Sequence, residues 1–140
     1  MTHVWIILLT ITTATQSNAH HELEGRDIEH GAQLYQDHCA SCHGVNLEGQ
    51  PNWRDFNEDG SLPAPPHDET GHTWHHDTNM LFEYTKLGGQ EALRRVGVKN
   101  YTSGMPAFDG ILTDQDIWDI LAYIRSTWSQ EIQDLHATRH

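Results

Sequence analysis

Two thiols and an imidazole stand together at Cys39-Ala40-Ser41-Cys42-His43, and these are the only cysteines in the 140-residue chain. Three kinds of chemistry suit such a string. Thiols at this spacing can bond covalently to the two vinyl groups of a haem while the following histidine reaches the iron from the same side. A redox dithiol would need the pair at the start of a helix packed on a thioredoxin-like sheet, and no alternating strands precede it. A zinc site would want further soft ligands, and there are no more cysteines. Haem attachment uses all three residues. With no second motif of this kind, the expectation is one covalently held haem c.

His43 supplies one axial position on the iron, so the other must come from far away in sequence. Met105 is the candidate. It lies in Ser103-Gly104-Met105-Pro106-Ala107-Phe108, where a methionine has no helical stripe to join. Pro106 fixes its own backbone dihedral and stiffens the loop. Thioether ligation favours ferrous iron and raises the potential relative to two histidines. Either His75 or His76 in place of Met105 would give a bis-histidine centre of lower potential.

A second group of candidate ligands is the run His67-Asp68-Glu69-Thr70-Gly71-His72-Thr73-Trp74-His75-His76-Asp77. Its imidazoles and carboxylates suit Cu(II), Zn or Ni. A second metal site at His67, His72, His75 and His76 is therefore one reading. The other is a polar turn around the haem edge that leads into the next helix.

Helices must position these residues. In 27–39, Ile28, Ala32, Tyr35 and Cys39 recur at helical spacing. Gly31 interrupts that face at a cost of up to about 1 kcal/mol, which suggests close approach of another helix. From 44 to about 78 the chain is rich in Gly, Pro, Asn and Asp, and Pro63, Pro65 and Pro66 exclude a continuous helix. A loop of that length points to wrapping of the haem edge. A helix then starts at about Met80, with Leu81, Tyr84 and Leu87 on one face, and stops at Gly88-Gly89. A short helix is expected over 90–96. The last helix opens at Thr113, with Asp116 completing a capping box, and runs to Trp128 through Ile117, Ile120, Leu121 and Ile124. No internal repeat or long strand pattern is present.

Twenty acidic residues against eight basic ones give a formal net charge of −12. That sign argues against nucleic acid or an anionic lipid surface as the main partner and allows steering toward basic protein surfaces. Residues 1–19 carry an apolar run, Val4 to Leu9, and end in Ser17-Asn18-Ala19, which reads as a cleaved export signal. The run is far short of the roughly 20 residues that cross a bilayer. The organisation expected is a signal peptide at 1–19, a flexible terminus at 20–26, one domain at 27–129 and a polar tail at 130–140. The location expected is the periplasm, with membrane tethering only if the leader stays.

With these motifs in place, the chain resembles small, exported, mono-haem class I cytochromes c of bacteria, over about 28–128. The resemblance implies an all-α fold in which N- and C-terminal helices cross, through Gly31 and Tyr35 against Leu121, Tyr123 and Ile124, with long loops around the haem. It implies His43 as proximal and Met105 as distal ligand. It also implies a proline carbonyl behind the proximal imidazole, and Pro51 is the nearest proline after the motif. Trp53, Arg54 and Trp74 are candidates for bonding a haem propionate. The function implied is one-electron transfer between a donor and an acceptor protein by a monomer with no bond chemistry of its own. A haem-based ligand sensor or small peroxidase, with an opened distal site, is the competing function.

Overall fold

A computed structural model describes residues 21–139. The export signal expected at 1–19 lies outside the described residues. The fold is all-α, and no β-strand occurs among the described residues, only isolated bridges between Ser61 and Thr102 and between Asp109 and Leu112.

The first helix, α1, covers Ile28–His38. Asp27 caps it in extended conformation by accepting from the His30 backbone N–H, so one of the unpaired donors of the first turn is satisfied. A single further helical turn, α2, covers Ala40–His43. α3 covers Thr78–Leu87 under an Asp77 cap that accepts from Met80, and α4 covers Gly89–Arg95. α5 covers Asp114–Ser126, and its capping box is complete: Asp116 N–H donates to the Thr113 hydroxyl while the Asp116 carboxylate accepts from Thr113 N–H.

α1 lies directly on α5. A Cβ built on Gly31 would stand 2.1 Å from the Asp119 carbonyl oxygen, so only glycine admits this approach. Beside it, Tyr35 is fully buried and its ring meets that of Tyr123 at 5.6 Å. Ile117, Ile120, Leu121 and Ile124 fill the interior from α5. Each such burial contributes roughly 1.5–3 kcal/mol. Phe82 of α3 stacks on Trp118 of α5 at 4.2 Å, and Lys86 pairs with Asp114 at 2.7 Å, so α3 is held to the same helix.

Both ends of the described residues carry more structure than their composition suggests. The segment expected to be a flexible terminus contains a 3-10 turn at His21–Leu23 whose Leu23 is buried in the core. The stretch expected to be a polar tail carries α6, Gln130–His136. Ile132 reaches the core from α6, and His136 is buried with its ring edge-on to Trp128. No helix among the described residues is long and apolar enough to cross a membrane.

Candidate functional site

The α1–α2 junction brings the motif into one turn. Cys39 ends α1, where its N–H donates to Tyr35, and His43 closes α2 with its N–H donating to the Cys39 carbonyl. Both cysteines are free thiols; Cys39 is half-buried and Cys42 exposed. Burial, with Cys42 close by, pushes the Cys39 thiol up to about 12, so it is a neutral thiol at ordinary pH. His43 is buried. Burial holds its pKa below the usual histidine value, against the opposing pull of the carbonyl it bonds.

That carbonyl belongs to Pro65. His43 Nδ1 lies 2.8 Å from Pro65 O, which commits Nδ1 as donor and leaves Nε2 as the nitrogen with a lone pair. The expectation of Pro51 is thereby corrected. The chain after α2 first folds back, with Gly49 N–H donating to His43 O at 2.7 Å. Pro51 then opens an exposed turn that leads away, closed by Asp55 N–H on Asn52 O. The return strand of the loop runs beside the outgoing one, Gln50 N–H donating to Ala64 O and His67 N–H to Leu47 O. Proximity in the fold, not along the chain, delivers the proline.

His67 follows immediately, and its ring stacks on that of His43 with centroids 4.0 Å apart and planes 24° apart. Burial, with His43 and His72 nearby, lowers the His67 pKa well below the ordinary value, so the pair is two neutral imidazoles. Thr73 Oγ1 lies 2.8 Å from His67 Nδ1 and 3.5 Å from Pro66 O, placing the hydroxyl to accept from the ring and donate to the carbonyl.

Met105 sits in a loop held at several points. Its N–H donates to the Ser103 hydroxyl at 3.3 Å, and its carbonyl accepts from Gly89 N–H at 3.1 Å. Phe108 N–H reaches the last carbonyls of α3. The loop presses on the α3–α4 junction at Gly88, φ +78°, where a Cβ would meet Ala107 N at 2.7 Å. Met105 and Cys39, both partly buried, pack against the same core cluster.

The remaining candidates are placed apart. Arg54 is exposed and stacks over the Trp53 ring at 4.0 Å, and Trp53 stacks on His72 at 5.4 Å. The Trp74 indole donates to Glu69 O at 3.3 Å. His75 lies against Trp74, and His72 meets His76 edge-on at 5.2 Å. Among the described residues no group of three or more His, Cys, Asp or Glu is placed to hold a metal ion. His67, His72, His75 and His76, the residues of the second-metal reading, are thus not gathered into one ligand set. Aromatic partners occupy these rings, and His67 faces inward while His72 and His75 are exposed.

The cytochrome c family model matches residues 28–128, from the first residue of α1 to Trp128. The chain belongs to the cytochrome c family. A cytochrome c of Gibberella zeae is 28% identical over 116 residues, covering 75% of this chain and 98% of the relative. No solved structure matches significantly. Members of the family bind haem c and are electron carriers, not enzymes. In this cytochrome the features that residue patterns alone did not disclose are Pro65, the His67 plate, Thr73, and Trp128, whose indole donates to His67 O at 2.8 Å. Their sequence signals point elsewhere: Pro65 reads first as a helix breaker, His67 as a candidate metal ligand and Trp128 as the end of the last helix.

Proposed function

We propose that this cytochrome is an exported, periplasmic one-electron carrier holding one haem c through Cys39 and Cys42, with His43 and Met105 as axial ligands. The observation that carries the reading is the buried His43 on the turn that bears both thiols, its Nδ1 committed to Pro65 O and its Nε2 left as the donor for iron. The donor set fits the group. Two thiols three positions apart, one imidazole and one thioether are the attachment and ligand types of a c-type haem. When bound, the haem supplies a single electron that iron gains or loses without bond making.

The protein's part is to keep the iron's surroundings constant while its charge changes. The Pro65 carbonyl draws on the Nδ1 proton and so raises the basicity of the ligating nitrogen. The loop bonded at Gly89, Ser103, Thr85 and Lys86 holds Met105 in one place. The long 44–77 loop wraps the haem edge, and its Ser61–Thr102 bridge joins it to the loop that carries Met105. Burial on both sides limits water and tunes the potential. Transfer is outer-sphere, through small transient encounters with partners that present basic patches.

Visible absorption of the haem-loaded protein, oxidised and reduced, with carbon monoxide added to the reduced form, tests the assignment. A low-spin c-type spectrum with the weak sulfur-to-iron band when oxidised, unchanged by carbon monoxide, is expected. A low-spin spectrum without that band would replace Met105 by a second histidine. High-spin iron or prompt carbon monoxide binding would turn the reading toward a sensor or peroxidase.

A further inference from the structure

Among the groups around His43, His67 stands out because every part of it is held. Its N–H donates to Leu47 O at 2.8 Å, its carbonyl accepts the Trp128 indole at 2.8 Å, and its Nδ1 meets Thr73 Oγ1 at 2.8 Å. The Tyr35 ring closes one side edge-on at 6.3 Å, and the His43 ring lies along its face at 4.0 Å. Leu47, which anchors the backbone of His67, is itself buried at φ +64°, a conformation a leucine keeps only where its surroundings impose it.

A single hydrogen bond from Nδ1 to Pro65 O fixes the direction of the His43 ring but leaves a hinge: the ring can rock about the line joining Nδ1 and its acceptor. A rigid plate against one face removes that freedom. Stacking of flat rings at this separation is favourable and confines the ring to a narrow range of planes.

We propose that His67 is a positioning residue for the proximal ligand, setting the plane of the His43 imidazole through its own stacked ring, which Thr73, Tyr35 and its bonded backbone hold in place. The proposal rests on the reading that His43 is the iron's ligand. An imidazole side chain serves here because its flat face stacks while its Nδ1 bonds Thr73, which a branched aliphatic side chain cannot do. The C-terminal end of the chain takes part, since Trp128 holds the His67 carbonyl and Ser129 N–H donates to the Glu69 carboxylate of the same loop.

The test is made on the full-length haem-loaded protein in its oxidised form, comparing the parent with His67→Phe and His67→Leu. The hyperfine-shifted haem methyl resonances and the electron paramagnetic g values respond to the orientation of the axial ligand planes and not to stability. Phenylalanine, which keeps a flat ring, is expected to retain the parent's order and spread of methyl shifts. Leucine, of similar bulk but with no ring, is expected to change both. If leucine reproduces the parent pattern, or phenylalanine departs from it as far as leucine does, the proposal is overturned. Should leucine prevent haem uptake, His67→Val, smaller and likewise without a flat face, carries the same expectation and the same refutation. A His43→Ala protein that keeps the parent's low-spin spectrum would instead remove the ligand assignment itself, a result independent of the other comparisons.

Discussion

At the scale of single residues, contact distance decides what can be exchanged. Gly31→Ala would gain up to about 1 kcal/mol in helix propensity, yet its methyl would overlap the Asp119 carbonyl at 2.1 Å, a backbone atom that cannot step aside. A net loss of about 1–3 kcal/mol is expected, visible as a lower denaturation midpoint. His30 gives a different kind of prediction. Its Nδ1 is 3.2 Å from Asp119 and its Nε2 3.8 Å from Asp116, and the bond to Asp119 above all raises its pKa from 6.5. The protonated form is favoured in the folded chain, so its stabilisation is complete below about pH 6.5 and fades as pH rises through the folded value. His30→Gln should flatten that part of the stability profile, and parallel parent and variant curves across the window would contradict the assignment. Cys39, Cys42, His43 and Met105 were legible as candidates because side-chain chemistry and spacing mark them. Pro65 was not, because a carbonyl acceptor has no side-chain signature and depends on where a loop returns.

At the scale of elements, legibility followed local cause. The opening of α5 was readable because Thr113 and Asp116 satisfy each other within one turn, and the close of α3 because Gly88 takes a left-handed conformation. α6 was not readable. Its sequence, Gln130 to His136, offers only Ile132 and Leu135 as aliphatic residues, and seven residues are too few to hold a helix in water without outside help. That help is tertiary: it packs on the 3-10 turn at Thr73–His75, next to a Trp128 that is buried and bonded to His67. Trp128→Phe keeps most of the apolar contact but leaves the His67 carbonyl without its indole donor. A loss of about 1–3 kcal/mol is expected in chemical denaturation, with helix content otherwise preserved. A midpoint equal to the parent's would mean that water replaces the indole at no cost.

For the whole molecule the dominant quantity is charge. A formal net charge of −12 on 140 residues sets a long-range field that favours encounter with cationic surfaces. The basic side chains do little to break it, since Lys86 is paired with Asp114, and Arg94 and Arg95 with Glu91. Electron transfer to a basic redox protein should slow as ionic strength rises toward and beyond about 0.15 M, where the screening length falls to roughly 8 Å. A rate indifferent to salt would show that steering plays no part for that pair.

The grip of Trp128 on His67 also imposes an order in time. In a growing chain Cys39, Cys42 and His43 are made long before residue 128, and until then nothing from the C-terminal end can close over the loop behind His43. On the proposed attachment of haem, the interval leaves the thiols reachable while the rest of the domain is still arriving, and Trp128 then fastens the His67 loop shut.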